Sequence, residues 1–392
     1  MTAKGSVGWD LDDAVASWPG LPPLAGDRIA DVCVVGLGAS GLAAVEACAD
    51  RGLDVVGVDA GRVAAGAAGR NGGFLIAGPA LPLHEALASW GRCAVDLYRA
   101  TLAEIERLEA VLGTHIVRRV GSIRLAGLPG EPTSNAEVTD REAELADCAR
   151  QAAALRAHGL AVEDYAGALG RGLFLPDDAA TNPAVRVTAL AAGLAVAGPA
   201  ARASLHEHTV VTALERGRVV TERGTISAGA VVVAVDGRLD VLLPELAARV
   251  RTARLQMIAT QPVAPRLPCP VYGRWGFDYA QQLPDGRLFV GGGRDRFLDA
   301  EWTLDTEPTE AVQRHVDTVA ARMAGGPVTP THRWAASVGF TSDSRPLCTA
   351  VAQQLVAVGG YSGTGNLVGP VAARAAVALA LDGTPPPPWC AS

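Results

Sequence analysis

Apolar positions along the chain follow two periods, and the changes between them mark its elements. Residues 31–35 (DVCVV) and 55–58 (VVGV) are apolar runs of strand length, with a stretch of helix length and small residues between them. They predict a β-α-β unit. A glycine-rich loop spans residues 64–78, and then Val95, Leu97, Leu102, Ile105, Leu108, Val111 and Leu112 recur at helical spacing. Residues 116–125 read as a strand and 127–136 as a loop, where Ser134 or Asn135 would cap a helix running to residue 158. A helix is expected over 187–197, followed by strands at 205–214, 218–222 and 230–235. The last of these is apolar throughout and reads as a buried parallel strand rejoining the first sheet.

From residue 250 onward the pattern is one of long strands, at 250–263, 271–283 and 287–293. Pro284-Asp285-Gly286 between the last two is a hairpin signal. A helix over 308–323, a strand at 355–358, a glycine-rich loop at 359–366 and a helix through 381 complete the pattern, with residues 384–390 (TPPPPWC) an extended surface tail.

The first β-α-β unit carries Gly36-x-Gly38-x-x-Gly41, and its second strand ends on Asp59. Gly36 makes the tight turn, Gly38 admits a pyrophosphate to the backbone, and Gly41 lets helix and strand pack closely. The helix N-terminus then offers free N–H groups and a positive dipole end. Asp59 stands at the spacing of an acid that receives a ribose diol. The motif by itself admits NAD or FAD.

Composition narrows the reading. At 392 residues with 49% hydrophobic and 19% charged residues, the chain suits two intertwined globular domains. A formal net charge of −7 argues against nucleic-acid binding. Cys33, Cys48, Cys93, Cys148, Cys269, Cys348 and Cys390 form no CxxC pair, which suits reduced thiols, a cytoplasmic location and no zinc site. His84, His115, His158, His206, His208, His315 and His332 form no metal-ligating pattern, so no metal is expected. The acidic N-terminus has no apolar core of the signal-peptide kind, and the apolar stretch 187–203 is broken by Gly198-Pro199, so no membrane span is expected.

Five segments carry a resemblance. Residues 65–73 (AGAAGRNGG) resemble the (A/S)SGRNGG loop of flavin-dependent amine and amino-acid oxidases, the D-amino-acid oxidase superfamily. Residues 231–243, 250–263, 333–346 and 359–366 are similar, in order, to further segments of that superfamily's γ-glutamylputrescine oxidase-like branch. The resemblance implies an α/β fold: a Rossmann-like FAD-binding domain from residues 1–90, 180–249 and 333–392, with an inserted antiparallel α+β substrate domain from 91–179 and 250–332. It further implies that Gly36, Gly38, Ser40 and Gly41 hold the FAD pyrophosphate, and Asp59 the adenosine ribose. Ala60, Gly61 and Arg62 would follow along ribose and adenine. Arg70, Asn71, Gly72 and Gly73 would lie along the pyrophosphate and isoalloxazine edge. Val211 would meet adenine through its backbone, and Gly360, Gly363, Thr364, Gly365 and Asn366 would line the flavin pyrimidine edge.

Departures from the family pattern sharpen the expectation. Thr364 stands where members often carry His, and Val338 where glycine and D-amino-acid oxidases carry the arginine that clamps a substrate carboxylate. Lys4 is the only lysine, which removes the oxygen-activating lysine of monomeric sarcosine oxidases, and Cys348 falls past the position of their covalent flavin cysteine. Noncovalent FAD is therefore expected. Tyr279, Trp275 and Tyr272, on one expected strand, are candidates for an aromatic wall around an amine. Tyr361 and Arg70 complete the candidate catalytic set, while Trp334 is expected in the core and Arg118-Arg119 on a solvated face. The favoured activity is oxidation of an amine C–N bond to an imine, with O2 reduced to H2O2. The alternatives are an α-amino-acid or N-methyl amino-acid oxidase anchored by Arg274, Arg294 or Arg296, an FAD amine dehydrogenase with another acceptor, and a non-enzymatic FAD-stabilised scaffold.

Overall fold

The computed structural model describes residues 3–4, 7–196 and 202–391. Its first sheet is built around the Arg28–Val35 strand, paired in parallel with Val55–Val58 on one side and Gly224–Val233 on the other. Ala203–His206 extends the first edge in parallel and Leu355–Gly359 the second. The helices Ala39–Ala49 and Val368–Asp382 pack on this sheet and on each other. Val55–Val58 and the C-terminal halves of the other two central strands, residues 32–35 and 230–233, are wholly buried, as their apolar sequences require. The expected parallel return at 230–235 is thus present.

The second sheet has nine strands and is mainly antiparallel. Arg251–Thr260 lies between Pro330–Phe340 and Leu288–Gly291, and Asp278–Gln282 follows next to the last. The hairpin at Pro284-Asp285-Gly286 forms as expected, with Gly286 at φ +89°. The Glu310–Ala324 helix covers one face of this sheet. The other face turns toward the first sheet, and there Trp9 stacks on Phe289, which meets Trp334 edge-to-face, in the apolar cluster that also holds Val32 and Val34.

Several expected elements are redrawn. Residues 205–214 form two strands, Ala203–His206 and Val211–Glu215, because residues 207–210 turn back onto the Asp59–Gly61 backbone through His208, at φ +49°. Residues 271–283 form a tight hairpin, Val271–Gly273 against Asp278–Gln282, with Trp275 at φ +54° in the turn. Only Ser122–Leu125 of the expected 116–125 strand is strand. Ser134 caps the Asn135–Ala157 helix by accepting from the Glu137 N–H at 3.2 Å. The helix expected at 187 begins at Pro183, and residue 197 lies outside the described residues.

The tail runs along the surface through the four prolines, but its end does not. Trp389 and Cys390 are buried, and the Ala391 N–H bonds to the Pro346 carbonyl. Arg118, expected on a solvated face, turns inward to donate to Gln281 Oε1 at 3.0 Å. A domain boundary at residue 333 falls within Pro330–Phe340, which pairs along its length with Arg251–Thr260 and so belongs to the nine-stranded sheet. Among the described residues, no helix is long and apolar enough to cross a membrane.

Candidate active site

Gly36 sits at φ +95°, where a Cβ would meet the Ala234 carbonyl oxygen at 2.6 Å. A Cβ on Gly41 would lie 1.7 Å from the Gly36 carbonyl oxygen, so only glycine lets the helix lie this close. Gly38 is the N-cap of Ala39–Ala49 and offers no side chain, which leaves the first helical N–H groups open. Asp59 Oδ2 accepts from the Leu37 N–H at 2.8 Å and Oδ1 from the Gly61 N–H at 2.9 Å. Burial raises its pKa against the pull of those two donors.

The 59–61 segment is fixed from outside. The Thr209 and His208 N–H groups bond to the Asp59 and Gly61 carbonyls, while Val211 lies in the apolar cluster that holds Val56 and Val58. Glu207 escaped the sequence reading. It is buried, and its carboxylate accepts from the N–H groups of Val63 and Leu21 and from Trp18 Nε1, tying the N-terminal segment to the cradle. Arg62 pairs with Asp10 at 3.4 Å, with both side chains partly exposed.

A short helix, Ala67–Arg70, carries the second loop. Gly69 and Gly73 are pressed against backbone, since a Cβ would meet the Ala64 and Thr181 carbonyl oxygens at 2.2 Å in each case. Trp334 Nε1 donates to the Arg70 carbonyl and Trp9 Nε1 to the Asn71 carbonyl, both at 2.8 Å, so the two buried indoles hold this loop. Trp334 is a core residue, as expected, but also a loop anchor. Arg70 donates from Nη1 to the Ala335 carbonyl, while its buried Nε has no partner. Desolvation lowers its pKa.

The third loop meets the second through two asparagines. Asn366 Nδ2 donates to Asn71 Oδ1 at 2.9 Å and to the Phe74 carbonyl at 2.8 Å. Asn71 Nδ2 reaches the Ala67 and Ala68 carbonyls, and its Oδ1 accepts from the Gly73 N–H. Behind them stands Arg186, wholly buried, donating to Asn366 at its carbonyl (2.9 Å) and Oδ1 (2.7 Å). Asp236 holds the start of this loop, accepting from the N–H groups of Gly360 and Tyr361 on Oδ1 and of Gly339 on Oδ2. Burial lifts its pKa to about 6. Gly360 and Gly363 take φ of +66° and +97°. The Thr364 hydroxyl donates to the Tyr361 carbonyl, and Gly365 lies against the Tyr361 ring. Neither Arg186 nor Asp236 was among the expected site residues.

The aromatic candidates separate. Strand register puts Tyr279, Gly291, Leu255 and Val338 on the face of the nine-stranded sheet that also carries Trp334. Tyr279 packs over Gly72 and Gly291, where added Cβ atoms would meet its ring at 3.1 and 2.5 Å, and edge-to-face with Phe74 at 5.8 Å. It therefore lies at the second loop. Tyr272 faces it across the hairpin. Trp275 is not with them: it is 42% exposed on the hairpin turn, with its N–H on Glu144. Tyr361 is buried behind the third loop, against Gly365 and Gly369 and not on the aromatic face.

The three arginine candidates also part. Arg274 is held by Asp278 and Asp295, and His315 completes that cluster by contacting Asp278 at 2.8 Å. Arg296 is exposed. Arg294 stacks over Phe340 at 4.1 Å and forms no ion pair among the described residues. Burial lowers its pKa. Elsewhere His84, Glu85 and Asp147 place ligand-type atoms within 4.8 Å of one another. Asp147 already pairs with Arg124 and Arg150, which accounts for that cluster.

These observations fit a dinucleotide: three glycine-shaped loops, of which the first and second touch where Gly38 lies against Ala68, an uncapped helix N-terminus, and a buried Arg70 nitrogen without a partner. Comparison with known proteins agrees. The family model described as FAD dependent oxidoreductase (DAO) matches residues 31–379. A probable oxidoreductase OrdL of Rhizobium meliloti is 28% identical over 93% of this chain and 86% of its own length. The gamma-glutamylputrescine oxidoreductase of Escherichia coli is 28% identical over 67% of this chain and 64% of its own. Among solved structures, glycine oxidase from Geobacillus kaustophilus superposes with a TM-score of 0.71 at 20% identity, covering 91% of this chain and 96% of that one. L-proline dehydrogenase from P. horikoshii gives 0.69 at 18% identity, covering 94% and 96%. At these identities the two structures speak for the fold.

Proposed function

The chain belongs to the FAD-dependent oxidoreductase (DAO) family, and on that basis we propose that it oxidises an amine C–N bond to an imine with noncovalently held FAD, O2 taking up the two electrons and two protons as H2O2. The observation that carries the proposal is the Tyr279 ring packed over Gly72, which puts an aromatic and apolar face directly against the second glycine loop. Gly36, Gly38, Ser40, Gly41, Asp59 and Arg62 would hold the pyrophosphate and adenosine half, and Arg70 to Gly73 with Gly360 to Asn366 the flavin half. Bound FAD supplies the two-electron acceptor for hydride from the amine's α-carbon.

The residues of the chain contribute position and field. Tyr279 with Phe74, and Leu255 with Val338, form an apolar face that orients an amine and limits water. Burial pushes the Tyr279 hydroxyl well above the usual tyrosine range, so it stays protonated and serves as wall, not base. Cys348 is wholly buried in the Leu347–Ala352 strand, which supports a noncovalent cofactor.

Arg294 favours a second reading, an amino-acid oxidase, because it is the one of the three candidate arginines that is half-buried without an acid. Arg274 is already committed to two carboxylates. The test is to purify the yellow protein, release its flavin with acid, and screen primary, secondary and carboxylated amines for peroxide and for anaerobic bleaching. Peroxide from uncarboxylated amines supports the proposal. Turnover confined to carboxylated amines, and lost in Arg294→Met, selects the second reading. Bleaching without peroxide identifies a dehydrogenase, and no bleaching with any amine overturns the proposal.

A further inference from the structure

Arg186 is a charge out of place by the ordinary rules of burial. It has no exposed surface, and its nearest bonded partners, the Asn366 carbonyl and Oδ1, are neutral. Its Nε has no partner at all. The acid whose field reaches it, Glu104, is already bonded to Arg107 and Arg374. Desolvation lowers its pKa only to about 10, so it remains a cation at neutral pH. An isolated buried cation costs several kcal/mol unless an opposite charge compensates it. Among the described residues no carboxylate bonds to it, and Glu104 compensates it only through its field.

The placement shows where that charge is felt. Through Asn366, Arg186 braces the second loop against the third, since Asn366 binds Asn71 and Phe74 and Asn71 binds Ala67, Ala68 and Gly73. The Val368–Asp382 helix begins beside it with no side-chain cap, and adds its positive end to the same region.

We propose that Arg186 is a positioning residue that locks Asn366 onto Asn71 and directs an unpaired positive charge at the flavin edge between the two loops, raising the flavin's affinity for electrons. The proposal rests on the reading that these loops flank the isoalloxazine. The physical basis is that electron uptake leaves negative charge on the ring, and a fixed cation in a low-dielectric surrounding stabilises it without reorganising.

The test uses FAD-loaded wild type, Arg186→Met and Arg186→Lys. The readouts are the midpoint potential of the bound flavin and the Kd for sulfite, a nucleophile whose addition leaves negative charge on the ring. R186M should weaken sulfite binding at least tenfold and move the potential to more negative values, by about 30 mV for each tenfold change in the two-electron equilibrium. R186K should stay within threefold of wild type on sulfite. Should R186M not fold, Arg186→Gln keeps a donor to Asn366 without the charge and is judged by the same two readings. A charge-free variant with the wild-type potential and sulfite Kd would overturn the proposal, and so would an R186K that falls as far as R186M. Neither readout needs turnover, so a holoprotein that oxidises no amine leaves this test intact.

Discussion

Gly38→Ala and Gly41→Ala add the same methyl group three residues apart, and the structure gives them opposite consequences. At Gly38 the backbone is at φ −74°, ψ −173°, open to any residue, and the new Cβ would meet only the Ala68 Cβ at 3.4 Å, an ordinary contact. Replacing glycine at such a position also reduces the freedom of the unfolded chain, which stabilises by about 0.4–1 kcal/mol. Flavin-free G38A should therefore melt at or slightly above the wild-type temperature. On the proposed placement, however, the methyl would stand where the pyrophosphate approaches the backbone, and FAD should bind at least ~100-fold more weakly, about 2.7 kcal/mol.

At Gly41 the Cβ would sit 1.7 Å from the Gly36 carbonyl oxygen and 2.8 Å from its carbon. That neighbour is backbone and has no rotamer to change, so the helix must move by more than ~1 Å. The cost should reach or exceed the upper end of ordinary overpacking, about 3 kcal/mol. Circular-dichroism melts of the flavin-free proteins give the first quantity, and quenching of flavin fluorescence on titration gives the second. G38A binding FAD within threefold of wild type would refute the placement of the pyrophosphate. G41A as stable as wild type would refute the account of close packing.

Two further predictions concern different parts of the molecule. Burial raises the Asp178 pKa to about 7, above the unfolded value near 3.9, so the folded state retains a proton that the unfolded chain releases. This contribution is full below pH ~4 and is lost as pH rises to about 7, by up to about 4 kcal/mol. Asp178→Asn can still accept from the Ala77 N–H and can donate to Ser122 Oγ, so the wild-type-minus-variant stability in urea melts should slope downward across that window; a flat difference refutes it. Gly291→Ala would place a Cβ 2.5 Å from the Tyr279 ring and displace it. It should lower kcat/KM at least tenfold with FAD affinity unchanged, and unaltered kinetics would remove Tyr279 from the substrate wall.

What could be read from the sequence was what local geometry dictates. Gly36, Gly38 and Gly41 have their roles within one turn, and Pro284-Asp285-Gly286 closes a hairpin between adjacent strands. The tight turn at Trp275 was hidden because apolar alternation continues on both sides of it; Gly273 and Gly276 were the available signal. Arg186 and Asn366 are 180 positions apart, and no spacing rule connects them. A trace existed all the same. Arg186 is the only charged residue in the stretch 183–197, and a lone charge amid apolar helix has to find something to do. Asp236 was visible as a residue, but its role depends on Gly339 and Gly360, brought together only by two sheets meeting. Only the end of the tail departs from the expected surface segment, for a related reason: four prolines set its extended backbone, but the burial of Trp389 depends on the rest of the fold.

The charge distribution bears on how an amine would be activated here. The chain is net negative, −7, yet beside Asp59 and Asp236 the loops gather cationic features: Arg70 has a buried nitrogen without a partner, Arg186 bonds to no acid among the described residues, and the Ala39–Ala49 helix begins with no side-chain cap. On the nine-stranded sheet, Leu255, Val338 and Tyr279 share a face and themselves offer no carboxylate that would hold an ammonium ion. On the proposed function, an amine arriving at these loops would meet a field that disfavours its charged form, so its pKa would fall and the neutral species would be favoured. That species is the one that can give up hydride from its α-carbon. Such a field would favour release of the ammonium proton to solvent, with no side chain acting as base.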